Sequence, residues 1–286
     1  MRERNNSSQT NWVIENTLSL QSVTRDLLLC TIGPCTVDAM VDLASIGPNA
    51  NVAVIGATGG IGSAFVRALS VNEAVSRVHA ISRSGTPFDD DSILSYTMDL
   101  LDEKSIAVTA ASVTQSGPLD LIIVATGLLH RDELQPEKTM REISAADMLD
   151  VFGVNTVGPA LVAKHFLPLM SRKKKSVFAA LSARVGSIDD NRLGGWVSYR
   201  ASKAALNMTV KTLAIEHGRR FPEAVLITLH PGTVATDLSA PFRSRVPPES
   251  LFDPETSAAH LLRVIEDVRP ADSGALIAWD GSRIRF

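Results

Sequence analysis

Tyr199 and Lys203 stand four residues apart in the stretch "GWVSYRASKAAL", Gly195 to Leu206. In a helix, residues i and i+4 share one face, so a phenol and an ammonium reach into one space. The chemistry open to such a pair is proton transfer. A free phenol titrates at about pH 10, and a neighbouring ammonium favours the phenolate. The same spacing also fits a plainer arrangement, a tyrosine at the edge of a core beside a lysine whose stem lies along apolar surface. The pair by itself leaves both open.

A second stretch, "GATGGIG" from Gly56 to Gly62, places glycines at 56, 60 and 62. It follows the apolar run "NVAVIG" and opens the helical pattern "SAFVRALSV". A dinucleotide site needs a tight turn there, close backbone approach, and a helix N-terminus facing the pyrophosphate. Without a ligand the same residues make a tight strand-to-helix turn. After the next apolar run comes "ISRSG", with Ser82 and Arg83 and no carboxylate. Folds that bind NAD usually carry an acidic residue there for the ribose hydroxyls. A guanidinium suits a 2′-phosphate through bidentate, charge-assisted bonds, so NADP(H) is expected over NAD(H), unless Arg83 is an ordinary loop arginine. Asp99 closes the third run and either accepts from an adenine amino group or caps a turn. Gly127 lets the backbone pass close to a ribose.

The elements that must position these residues alternate regularly. Strands are expected at 51–56, 77–82, within 92–100, and at 119–127, 176–182, 223–232 and 274–281. Between them lie helical patterns, among them one long helix over 144–170 that runs through Gly158-Pro159, and another from Ser198 to Arg220. Alternating strands and helices predict an α/β fold, a doubly wound Rossmann-type parallel sheet of seven strands with helices on both faces. Residues 49–286 are expected to form this single dinucleotide-binding domain. Residues 1–48 read as an N-terminal extension. It opens with the polar tract "MRERNNSSQTN", which has a disordered composition, and Met40 offers an alternative start. A chain beginning near Pro48 is expected to fold and bind cofactor.

Composition narrows the classes. Of 286 residues, 45% are hydrophobic and 21% charged, enough for a sizeable core. A net charge of −3 with no basic stripe argues against nucleic acid. The run "RKKK", Arg172 to Lys175, reads as a helix C-terminus interacting with the dipole. Two cysteines, Cys30 and Cys35, form no CxxC, and the six histidines form no HExxH, so no metal is expected. No apolar run approaches a membrane span. A reducing, cytoplasmic location is expected.

Together the glycine turn, "VATG" at Val124 to Gly127, and "YRASK" resemble the short-chain dehydrogenase/reductase family, from about residue 50 to the C-terminus. "GSIDDNRLGGWVSYRASKAALN" and the closing "WDGSRI" are similar to its C-factor and sniffer-like carbonyl reductases. The resemblance implies hydride transfer between nicotinamide and a small carbonyl or alcohol substrate. It assigns the cofactor to Gly56, Thr58, Gly60, Ile61 and Gly62 of the turn, to Arg83, Asp99 and Leu100, and to Ala125 and Gly127. "HPGTVATDL" looks like the family's carboxamide-gripping segment and adds Pro231, Gly232, Val234 and Thr236. Tyr199 would be the general acid/base. Lys203 would lower its pKa and hold the ribose. Asn155 would tie a relay water to Lys203, or else satisfy a local helix break. The sequence departs from the family in three places: Ile55 replaces a threonine, the asparagines before Gly127 are missing, and Ala183 occupies the place of the catalytic serine. Three arrangements follow: Ser182 bends into the site, Ser187 serves instead, or neither does. The segment "SAPFRSRVPPESLFD" offers Phe242 to an apolar substrate and Arg243 or Arg245 to a carboxylate. The helices from Ser144 and Tyr199 resemble family dimer faces, which implies a homodimer or homotetramer, although some relatives are monomers. The competing class is a signalling or redox-sensing protein that binds NADPH with little turnover.

Overall fold

A computed structural model describes residues 41–286. The readings of the polar tract, of Cys30 and Cys35 and of Met40 lie outside them.

β1 (Ala50–Ile55) is buried along its whole length. β2 (Val75–Ser82), β3 (Ile93–Thr97), β4 (Leu121–Val124), β5 (Ser176–Leu181) and β6 (Ala224–His230) follow as short apolar runs, parallel to their neighbours. Thr233–Val234 (β7) and Leu251–Phe252 (β8) form a separate two-stranded ribbon. β9 (Leu276–Ala278) is parallel to β6. The order of the main sheet is β10-β9-β6-β5-β4-β1-β2-β3. It reverses direction between β1 and β4, where doubly wound sheets bind ligands.

The expected seven-stranded parallel sheet is corrected to eight strands with one antiparallel pair. β10 (Arg283–Ile284) folds back on β9. The cause is local: Asp280 accepts from the Ser282 amide at 3.0 Å and the Ser282 hydroxyl at 2.6 Å, closing a hairpin at Asp280-Gly281. A two-residue strand carries too little alternation to be read from sequence.

Helices cover both faces. α1 (Gly60–Ser70) and α6 (Pro254–Asp267) enclose one apolar layer with Val52, Val54, Phe65 and Leu261. α2 (Glu103–Val113), α4 (Gly158–Phe166) and α5 (Val197–Gly218) enclose the other, with Ile122, Phe166, Phe178 and Leu206. The long helix is real but uneven. α3 (Ala145–Phe152) passes through a π-helical turn, Gly153–Val157, into α4. Pro159 has no N–H for the Asn155 carbonyl four residues back, and a helix widens where such a bond is missing.

The domain also reaches further back than residue 49. Leu43 and Ile46 are fully buried in the α1/α6 layer. The Ser45 amide donates to the Glu266 carboxylate at 3.0 Å. "RKKK" serves a different helix from the one expected. The Lys175 ammonium donates to the Ile265 and Glu266 carbonyls at the end of α6 and to the Ser45 hydroxyl, while Lys174 pairs with the buried Asp120 at 3.1 Å. No helix among the described residues is long and apolar enough to cross a membrane.

Candidate active site

The glycine turn joins β1 to α1. Gly56 has φ +87°, and a Cβ on Gly62 would lie 2.0 Å from the Gly56 carbonyl oxygen. Only glycines allow this approach, and it leaves the N-terminus of α1 facing outward from the sheet. Beside it opens a cleft of about 550 Å³ across the C-terminal ends of β1 to β4. Gly56, Thr58, Arg83, Asp99, Leu100, Ala125 and Gly127, all expected in a cofactor site, line it. Asp99 accepts from the Leu101 amide at 2.9 Å, so it also caps the turn into α2. Arg83 is exposed at the rim.

Thr236 packs on the turn, where a Cβ on Gly60 would meet its methyl at 2.5 Å. Gly60, Ile61 and Gly62 support the turn rather than line the cleft. Pro231, Gly232 and Val234 do not line it either. The Pro231 carbonyl accepts from Ser257 at 2.9 Å, and Gly232 faces the rings of Phe252 and Trp279. Thr126 was not singled out from sequence. Its hydroxyl is buried at the cleft without a hydrogen-bond partner, the kind of atom a polar ligand satisfies. Cradle, cleft and cation together fit a dinucleotide.

α5 carries the pair. Tyr199 and Lys203 are both buried on its inner face, with the Lys203 Nζ 5.8 Å from the centre of the tyrosine ring. The Lys203 ammonium donates to the Leu181 carbonyl at the end of β5, at 2.8 Å. Burial lowers its pKa from 10.5 to about 7 and raises that of Tyr199 from 10.0 to about 12. Both groups are thus pushed towards their uncharged forms. The Lys203 Nζ and Asn155 Oδ1 flank Gly127, each 3.8 Å from where its Cβ would be.

Asn155 sits fully buried in the π-helical turn. Its amide accepts from the Leu128 N–H at 2.7 Å and donates to the Leu128 carbonyl at 2.8 Å and the Ser202 hydroxyl at 3.0 Å. It locks the chain that leaves β4 onto α5 and makes no direct bond to Lys203.

The serines are placed differently from the favoured expectation. The Ser182 hydroxyl donates to Asn207 Oδ1 at 2.8 Å, two helical turns from Tyr199. The Ser187 hydroxyl donates to the Arg285 carbonyl at 2.5 Å. The backbone at Ala183 is extended (φ −153°, ψ 150°).

Sequence reasoning also missed how α5 begins. Its N-cap residue, Trp196, makes no side-chain cap. Glu137, sixty-one residues earlier and buried, accepts from the Ser198 amide at 3.2 Å and from the Ser198 hydroxyl. Nothing near Glu137 in the sequence marks it. Trp196 itself stands three residues before Tyr199 in the stretch that draws attention first.

A family model for short chain dehydrogenases matches residues 50–247. Over 193 residues the chain is 32% identical to 1-hydroxy-2-glutathionyl-2-methyl-3-butene dehydrogenase of Rhodococcus sp. strain AD45, covering 66% of this chain and 78% of that one. It is 31% identical to the C-signal protein of Myxococcus xanthus, covering 59% and 93% of the two chains. Among solved structures, an NADPH-bound carbonyl reductase from chicken fatty liver superposes with a TM-score of 0.74 at 26% identity, covering 84% and 96%.

Proposed function

The chain belongs to the short-chain dehydrogenase family, and from that membership we propose that it is an NADP(H)-dependent carbonyl reductase in which Tyr199 donates the proton. The reading is carried by one observation: Tyr199 and Lys203 are buried together on α5, at the open end of the nucleotide cleft's sheet. When bound, the cofactor supplies hydride to the carbonyl carbon. The chain's own part is to bind, orient and protonate. The N-terminus of α1 and the glycine turn receive the pyrophosphate. Arg83 takes the 2′-phosphate, and the NADPH held by the chicken relative supports that choice. Gly127 and Lys203 hold the nicotinamide ribose. Tyr199, kept as a phenol by burial, gives its proton to the carbonyl oxygen as negative charge develops there.

Tyr199 acts without a serine partner. Ser182 holds Asn207 and so the packing of β5 on α5. Asn155 positions Leu128 and Ser202 around the lysine. The exposed Leu149 and Val157 of the long helix and Met208 and Ile215 of α5 support association with a second copy, and the cysteine usage supports the cytoplasm. Ala183, at the family's usual serine position, favours, as a second reading, an NADPH-binding signalling protein with little turnover.

Arg83→Ala tests the cofactor assignment. It is expected to weaken NADPH by about 1.5–3 kcal/mol, the scale of a charged hydrogen bond, and to leave NADH unchanged. Equal affinity of the unmutated protein for the two cofactors would refute it. Oxidation of NADPH with a panel of small aldehydes and ketones separates the enzyme from the signalling protein.

A further inference from the structure

Immediately before α5 the backbone does something unusual. Gly194, Gly195 and Trp196 all lie in the left-handed region, with φ of 63°, 68° and 52°. Two glycines adopt this freely, but a tryptophan does so only when its surroundings hold it there. The surroundings here do. The Trp196 amide donates to the Glu137 carbonyl at 2.6 Å. The Glu137 carboxylate caps Ser198. Arg200 reaches back to the Gly195 carbonyl at 3.0 Å and to that of Val185 at 3.4 Å.

The turn sets the indole beside the catalytic ring. Trp196 meets Tyr199 edge-on, with centroids 6.3 Å apart and planes at 79°. It also meets Phe242, at 4.9 Å and 60°. Phe242 belongs to the 3-10 turn Ala240–Arg245, which follows β7. The turn is anchored from across the site: His130 lies 5.9 Å from the Phe242 ring, and its Nε2 is 3.1 Å from the Asp237 carbonyl oxygen. Neither Trp196 nor Phe242 joins the apolar layers of the sheet. Both remain half-buried. A strained tryptophan that packs no core, held by three residues over the one phenol that must meet substrate, has a use at the substrate.

We propose that Trp196 and Phe242 form an aromatic clamp over Tyr199 that selects a flat, uncharged aromatic carbonyl compound as substrate. The proposal rests on the reading of Tyr199 as proton donor. Two rings in edge and tilted contact offer faces on which a third ring packs in the offset arrangements that aromatic pairs prefer. An aliphatic or strongly hydrated substrate gains little from them. The substrate's ring lies against the clamp with its carbonyl towards Tyr199. A C–H bond forms at the carbonyl carbon with the hydride of NADPH, and the C=O π pair moves to oxygen. That oxygen takes the proton as the Tyr199 O–H bond breaks, which leaves an alcohol carrying the aryl group, NADP⁺ and a Tyr199 phenolate that solvent reprotonates.

The test uses two diketones that differ only in one substituent, 1-phenyl-1,2-propanedione and 2,3-butanedione, each with NADPH. The unmutated protein should favour the phenyl compound by roughly tenfold in kcat/KM. Trp196→Ala and Phe242→Ala should each remove most of that preference through KM, lowering kcat/KM for the phenyl compound far more than for butanedione, and leave NADPH binding intact. Trp196→Phe should restore part of the preference. Saturation-transfer NMR gives a readout independent of turnover: the phenyl protons should receive magnetisation in the unmutated protein and lose it in Trp196→Ala. Phe242→Ala removes a loop residue outside both cores, so it stands in should Trp196→Ala fail to fold. No preference for the phenyl compound, or equal losses for both diketones in both variants, would overturn the clamp. Phenyl contacts that depend on Trp196 in a protein that reduces neither diketone would uphold the clamp and count against Tyr199 as the donor.

Discussion

At Lys203 the chemistry depends on burial. An ammonium held inside the protein loses its hydration, and the pKa falls from 10.5 to about 7 for that reason. Between those values the folded state holds fewer protons than the unfolded chain, so stability rises with pH across the window. Below about pH 7 the lysine is charged in both states and the cost of burying it is felt in full. Methionine at this position has no such titration. In the cofactor-free protein, Lys203→Met is therefore expected to be the more stable form near pH 6. The unmutated protein should close the gap towards pH 10, at up to about 1.4 kcal/mol per pH unit. Urea midpoints of the two proteins, compared from pH 6 to 10, check this. A gap that stays constant would mean that Lys203 remains charged inside the fold.

At the scale of elements, the start of α5 decides where Tyr199 stands. Three of the six α-helices among the described residues carry their own caps: Asp102 for α2, Ser144 for α3 and Asp253 for α6 each accept from an amide of the first turn. α5 borrows Glu137 instead. Glu137→Ala strips the cap and leaves the Ser198 amide and hydroxyl buried without an acceptor. The expected loss is about 1–3 kcal/mol, read from chemical denaturation, and a loss too small to measure would show the cap to be idle. The comparison with sequence divides along the same line. The glycine turn, Arg83 and the Tyr199–Lys203 pair were legible because each is a local pattern with a local physical demand. Glu137 was not, because its partner lies sixty-one residues away and a lone glutamate in a loop has no signature. Nor was the direction of Ser182, which depends on whether a strand bends at its last residue. The π-helical turn at Asn155 was half legible: the long helix was read as running through Gly158-Pro159, but not as widening just before it.

At the scale of the whole molecule, the sheet, its two covering layers and the position of the cleft follow from the alternation of strands and helices. The ends of the domain do not. Residues 41–48 look like part of an extension by composition, yet Leu43 and Ile46 are fully buried and Ser45 joins Glu266 and Lys175. Burying each of those two side chains contributes about 1.5–3 kcal/mol, a large share of the roughly 5–15 kcal/mol that holds a domain folded. A chain starting at Asn49 should therefore unfold at clearly lower denaturant than one starting at Val41, in place of the tolerance the sequence alone predicts. Equal midpoints would show that the segment is dispensable.

The most direct test removes one oxygen atom. Tyr199→Phe keeps the ring, its place on α5 and its contact with Trp196, and takes away only the proton that is said to be transferred. Alongside it, Ser182→Ala removes a hydroxyl that faces Asn207. Single-turnover reduction of a carbonyl substrate by the pre-bound NADPH complex is the measurement, with NADPH affinity taken on the same samples. The phenylalanine variant should bind NADPH as before and lose at least about 10²-fold in rate, within the range for a general acid, while the Ser182 variant keeps its rate within a few-fold. A Tyr199→Phe protein that reduces its substrate at close to the original rate, with NADPH still bound, would contradict the assignment of Tyr199 as proton donor.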